Sequence, residues 1–108
     1  MRYNSRMEKH KAHYRLADIQ AIVSRDCLAA FTATALFNRL AMGLSDVSLL
    51  KAVADMKPTM FQKSMTTYRD HTIWQDVYHV PLPDGRVAYV KLTLQDGAVV
   101  IQFKDKEG

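Results

Sequence analysis

Apolar positions change their spacing near the middle of the chain. From Arg15 they recur every three or four residues, as Leu16, Ile19, Ile22 and Val23, and so mark one face of a helix. Leu36, Phe37, Leu40 and Met42 repeat that spacing, with Thr32 or Thr34 available as a side-chain cap and Gly43 as a stop. Ser45 can cap a third helix through Val47, Leu50, Val53 and Ala54, and Pro58 lies beyond its end. After residue 60 the period shortens. Residues 60–68 and 73–80 are rich in β-branched and aromatic side chains, while 86–95 and 98–104 alternate as half-buried strands do. Asp84-Gly85 and Asp96-Gly97 are hairpin-turn pairs. Helices followed by a meander predict an α+β fold, with the N-terminal helices packed on a curved antiparallel sheet. Residues 1–14 carry no apolar period and read as a flexible basic N-terminal segment, ahead of a single domain over 15–108. Met7 offers an alternative start.

The last hairpin can be put in register from its turn. If Asp96-Gly97 is a two-residue turn, Gln95 opposes Ala98 and the pairs run outward from there. Leu94–Val99, Leu92–Ile101 and Val90–Phe103 then form an apolar face. The other face carries Tyr89, Lys91, Gln102 and Lys104, with Tyr89 directly across from Lys104. Cβ atoms of such partners lie only ~5 Å apart, so a phenol and an ammonium group could reach one phosphate. A plain solvated face has the same pattern. A two-residue turn at Asp84-Gly85 would place Gln75 opposite Leu94, on the core side. Pro81 and Pro83 disfavour a regular ladder there, and a bulge would turn Gln75 to the other face.

Composition narrows the field. Fifteen Lys and Arg against eleven Asp and Glu give a net charge of +4, compatible with binding a polyanion but no proof of it. Cys27 is the sole cysteine, which excludes an intrachain disulfide and a multi-cysteine zinc site; its apolar neighbours suggest a buried thiol. The four histidines lack metal-ligand spacing apart from His10 and His13, so neither a metal nor another cofactor is expected. No apolar run reaches the ~20 residues that span a bilayer, and no hydrophobic stretch follows the basic N-terminus. The expected location is the cytoplasm.

The segment from Phe61 to Tyr78, FQKSMTTYRDHTIWQDVY, closely resembles the central signature of the MqsR toxins, the motility quorum-sensing regulators. The resemblance continues through Tyr89-Val90-Lys91 and Phe103-Lys104-Asp105-Lys106, with an echo at Met7-Glu8-Lys9 and His13-Tyr14-Arg15-Leu16. Between Ala17 and Met60 only the order of helices is similar. The resemblance implies a RelE-like toxin fold and a type II toxin that cuts messenger RNA without the ribosome, at GC-containing triplets such as GCU. It implies activity carried by Lys63, Gln75, Tyr89 and Lys104, of which Tyr89 and Lys104 were paired by register alone. It also implies an antitoxin similar to MqsA, with a zinc-binding N-terminal part and a DNA-binding C-terminal part.

Metal-free RNA cleavage needs a deprotonated 2′-hydroxyl, in-line attack on phosphorus and a protonated leaving oxygen. Lysines suit the phosphorane charge, which assigns Lys63 and Lys104 to its stabilisation. Tyr89 is the candidate for proton transfer and Gln75 for orienting the ribose or a phosphate oxygen. Lys91, Arg69 and Arg86 are candidate phosphate contacts, and Trp74 either stacks on a base or packs into the protein. His71 and His79 have the right chemistry for proton transfer, but His71 lies in an expected turn and neither has a partner at known spacing. Two other readings stay open: a non-catalytic module binding RNA or antitoxin, and a transcriptional co-regulator. No helix reads as a DNA-recognition element, so duplex DNA binding by the isolated chain is not expected.

Overall fold

The computed structural model describes residues 7–108. Five strands form one antiparallel sheet in chain order: β1 (Glu8–Lys9), β2 (Phe61–Thr66), β3 (Trp74–Pro81), β4 (Val87–Gln95) and β5 (Ala98–Asp105). Three helices cover one face: α1 (Leu16–Asp26), α2 (Ala33–Ala41) and α3 (Asp46–Ala54). The α+β architecture expected from the change of period is therefore the one observed.

The caps follow the sequence. Thr32 and Ser45 each accept a backbone N–H three residues on, from Ala35 and Ser48, which satisfies one of the open donors at the start of α2 and α3. The apolar stripes were only partly legible. Leu16, Ile19 and Val23 of α1 are buried as expected, but α2 buries Ala35 and leaves Phe37 and Leu40 exposed. In α3 the buried pair is Leu49 and Val53, while Val47 faces solvent. A short helix laid across a sheet buries a narrow stripe, so its other apolar residues remain outside.

These helices pack on alternate residues of the meander. Tyr78, Val90 and Phe103 stand abreast on three strands and Leu92 and Ile101 on two, and all five are buried. The last hairpin adopts the expected register, from Gln95 opposite Ala98 to Tyr89 opposite Lys104. Asp96 and Gly97 both have positive φ, as a two-residue turn of this hand requires.

Two expectations about the sheet need correction. The turn between β3 and β4 is longer than two residues: Leu82 N–H donates to the Arg86 carbonyl, leaving Pro83, Asp84 and Gly85 in the loop. Gly85 takes the positive φ that such a loop needs. The added residue shifts the ladder by one, so Asp76 faces Leu92 and Val77 faces Lys91. Because side chains alternate, this single step moves Gln75 off the core face.

The other correction concerns the lead-in. The part of residues 1–14 from Met7 onward is held against the sheet, while residues 1–6 lie outside the described residues. Glu8 and Lys9 pair with Met65 and Ser64, and the fully buried Asp76 carboxylate accepts N–H groups from His13 at 3.0 Å and Tyr14 at 2.9 Å. No apolar period is needed for this anchoring, because strand pairing and backbone N–H groups bound to a carboxylate supply it. Cys27 also departs from its expected burial: it is exposed, at the C-cap of α1, with φ +52°.

Candidate active site

The face of the sheet turned away from the helices is built in rows, fixed by the register. One row runs His79, Tyr89, Lys104 across β3, β4 and β5. The next runs Lys63, Val77, Lys91, Gln102 across β2 to β5. A third begins Glu8, Met65, Gln75. Lys63, Gln75, Tyr89, Lys104 and Lys91, scattered over 42 positions of the sequence, thus share one face. Neighbouring strands are about 4.8 Å apart and successive rows about 6.8 Å, so the backbones of Lys63 and Lys104 are separated by roughly 16 Å. The two residues therefore lie at opposite ends of the face.

Within the first row the groups are close. The Lys104 Nζ lies 5.5 Å from the Tyr89 ring centroid, and the His79 ring centroid lies 5.7 Å from the same ring. Imidazole, phenol and ammonium therefore stand side by side in that order. Burial and, after it, the charge of Lys106 push the His79 pKa below its ordinary value, which favours the neutral imidazole. His79, which has no partner at a recognisable spacing in the sequence, neighbours Tyr89 in the sheet. Its partnership with Tyr89 depends on the offset of the β3–β4 ladder, which no local pattern reveals.

The Tyr89 ring sits on the opposite face from the tyrosine of the core. Tyr78 is fully buried, and its pKa is pushed up to about 12, first by burial and then by the Asp76 carboxylate. That phenol stays neutral at physiological pH. Tyr89, half-buried, opens onto the polar face.

Gln75 is 9% exposed, and its side-chain amide makes no hydrogen bond with another described residue. A nearly buried amide normally finds a partner, so an uncommitted one beside lysines is suited to bind a ligand. Lys63 is engaged. Its Nζ donates to Glu8 Oε2 at 3.1 Å, a half-exposed ion pair worth ~1 kcal/mol or less, and so easily exchanged for a phosphate.

The remaining candidates are not on this face. Alternation along β3 puts Trp74 on the helix side with Asp76 and Tyr78. There its ring stacks with His13 at 5.6 Å and lies under the Lys9 ammonium at 4.1 Å. Arg86 pairs with Asp84 at 2.7 Å and donates to the Met42 carbonyl at the end of α2. Arg69 and His71 belong to the loop between β2 and β3, and Arg69 is exposed. Among the described residues, no group of three or more His, Cys, Asp and Glu could hold a metal ion.

A helix-backed sheet with a cationic, amide-bearing and phenolic open face is the arrangement to be placed among known proteins. The family described as motility quorum-sensing regulator, toxin of MqsA, matches residues 11–105, and the chain belongs to that toxin family. A relative in Escherichia coli strain K12, the mRNA interferase toxin MqsR, is 38% identical over 100 residues, which cover 93% of this chain and 100% of the relative. No helix among the described residues is long and apolar enough to cross a membrane.

Proposed function

We propose that this chain is the toxin of a type II toxin–antitoxin pair, an endoribonuclease that cuts messenger RNA on the open face of its sheet. One observation carries the reading: the one-residue offset between β3 and β4 gathers Lys63, Gln75, Tyr89 and Lys104 on a single face together with His79. The membership of the family and the name of the Escherichia coli relative support it from outside the geometry.

The chemistry follows from the row. Neutral His79 takes the proton of the 2′-hydroxyl, and the 2′-oxygen attacks the adjacent phosphorus. The bond from phosphorus to the 5′-oxygen breaks, and the Tyr89 hydroxyl gives that oxygen its proton. The Lys104 ammonium beside the phenol stabilises the phenolate so formed and the charge on the phosphorane, and Lys63 holds the strand at the far end of the site. Gln75 orients the ribose or a non-bridging oxygen. Return of the proton from imidazolium to phenolate restores the site. The products are a 2′,3′-cyclic phosphate and a 5′-hydroxyl, formed without ribosome or metal, with GC-containing triplets such as GCU as the expected targets. The cytoplasm is the proposed place of action, and a protein similar to MqsA is the proposed antitoxin.

The test is cleavage of a defined messenger RNA by purified chain, without ribosomes and with EDTA. Specific cuts ending in cyclic phosphate are expected. Lys104→Ala and Tyr89→Phe should each lower the rate by about 10²–10³-fold, the scale of losing one transition-state stabiliser. A folded wild-type chain that cuts nothing refutes ribosome-independent cleavage, and full activity in Lys104→Ala refutes the role of the row.

A further inference from the structure

The open face does not end in bulk solvent at β5. The residues just before α2 add to the outer edge of that strand: Phe31 bridges Ile101, and Thr32 N–H donates to the Ile101 carbonyl at 3.0 Å. One turn into the helix, the Asn38 side-chain amide donates to the Phe103 carbonyl at 3.0 Å. These bonds occupy the edge carbonyls and fix the start of α2 as a wall beside the sheet. Between wall and sheet lies a cleft of about 460 Å³, lined by Thr34 and Asn38 on one side and by Tyr89, Lys91, Gln102 and Lys104 on the other. That volume falls within the range of ordinary small-ligand sites.

The lining has a definite chemistry. It contains no carboxylate, two ammonium groups, two amides and the hydroxyls of Thr32, Thr34 and Tyr89. Each amide both donates and accepts, as the hydrogen-bonding edge of a nucleobase demands. Asn38 spends one N–H on Phe103 and keeps its carbonyl oxygen and second N–H. Gln102 is exposed, and its amide is uncommitted among the described residues. Tyr89 and Lys104 belong both to the cleft and to the row where the scissile phosphate is placed. A phosphate held there sits at the mouth of the cleft, and an adjoining unpaired base can enter it. A duplex, whose bases are stacked inward, cannot present one.

We infer that this cleft is a nucleobase subsite that receives the base on the 3′ side of the cut and takes part in choosing the cleavage sequence. The inference rests on the proposed RNA cleavage. The polarity follows from the order of the row. His79 marks the side of the 2′-hydroxyl and hence of the nucleotide 5′ to the cut, and the cleft lies on the other side of Tyr89. Gln102 and Asn38 read the edge of the base, Thr34 adds a hydroxyl, and the Tyr89 ring offers a surface for stacking.

The experiment is to cut an RNA library randomised at two nucleotides on each side of the cleavage point, and to sequence the ends. Gln102→Ala and Thr34→Val carry the test, because neither side chain bonds another described residue; Asn38→Ala also loosens α2 and serves as a folding control followed by circular dichroism. The expected result is continued cutting, with discrimination at the first 3′ nucleotide reduced by about tenfold in Gln102→Ala, the scale of one lost base-edge contact, and unchanged elsewhere. Unaltered discrimination at that nucleotide in both variants, or a change confined to the 5′ side, overturns the subsite while leaving RNA cleavage intact. A wild-type chain that cuts no member of the library overturns the enzyme reading itself, and the subsite with it.

Discussion

The roles proposed for His79, Tyr89 and Lys104 depend on neighbours across strands. The His79 pKa is lowered by burial and by Lys106; the other titratable groups of its row are Tyr89 and Lys104. The imidazole is therefore uncharged, and able to accept a proton, at neutral pH. Single-turnover cleavage should accordingly rise with pH along a limb whose midpoint lies below 6.5. In His79→Gln that limb should disappear together with roughly 10²–10⁴-fold of rate. A variant that keeps the wild-type limb excludes His79 as the base. Asp76 is a different case, a residue of the Phe61–Tyr78 signature with a structural task. Its carboxylate ties down the N–H groups of His13 and Tyr14. Asp76→Ala leaves two backbone donors without a partner, which should cost about 2–4 kcal/mol in urea denaturation.

At the level of elements, β1 and the end of α1 make separate predictions. The two-residue β1 places Glu8 on Lys63, so the free protein holds one of the cations proposed to bind RNA in an ion pair. Glu8→Ala should tighten binding of a 2′-deoxy, uncleavable oligonucleotide a few-fold at low salt, with the difference vanishing above the salt concentrations that screen exposed pairs. Equal affinity at low salt would mean that the pair does not compete with phosphate. Cys27 ends α1 with φ +52° and ψ −128°, a backbone conformation suited to glycine. Cys27→Gly should raise stability by about 1 kcal/mol by relieving that strain, read as a higher Tm. The helix starts and the last hairpin were legible because they are local: Thr32, Ser45 and Asp96-Gly97 act within four residues of themselves. The burial of α2 and α3 was less so. Whether Phe37 or Ala35 faces the sheet depends on where the helix lies over β5, which the period of its own residues does not state.

For the whole molecule, the histidines predict the response to mild acid. Burial is the first cause that lowers the pKa of both His13 and His79, with Lys9 and Lys106 adding to it and Asp76 opposing it at His13. The unfolded chain therefore binds these protons first, and folding stability should fall as the pH drops from 6.5 toward the lowered values. The depressed carboxylates, Asp26, Asp70 and Asp84, act below their ordinary value near 3.8 and do not contribute in that window. Thermal unfolding at pH 7.5 and 5.5 tests this: the loss of Tm should shrink in the His13→Gln, His79→Gln double variant. An undiminished loss would place the sensitivity elsewhere.

Short-range chemistry is readable directly along the chain. The helix caps, the order of helices and strands, the register of the last hairpin and hence the pairing of Tyr89 with Lys104 all follow from residues a few positions apart. The long signature after residue 60 carried the family. Tertiary structure decided the rest, because it turns on counts and contacts that span the chain. One extra residue in the Leu82–Arg86 loop reversed the facing of β3, bringing Gln75 and His79 to the open face and leaving Trp74 on the other. The burial of Asp76 drew the N-terminal segment onto the sheet, and the clamping of α2 along β5 made a cleft from residues that are separated by more than fifty positions. A side-chain period of two makes such outcomes all-or-none: a shift of a single residue exchanges core for surface, and only the assembled sheet shows which of the two has been taken.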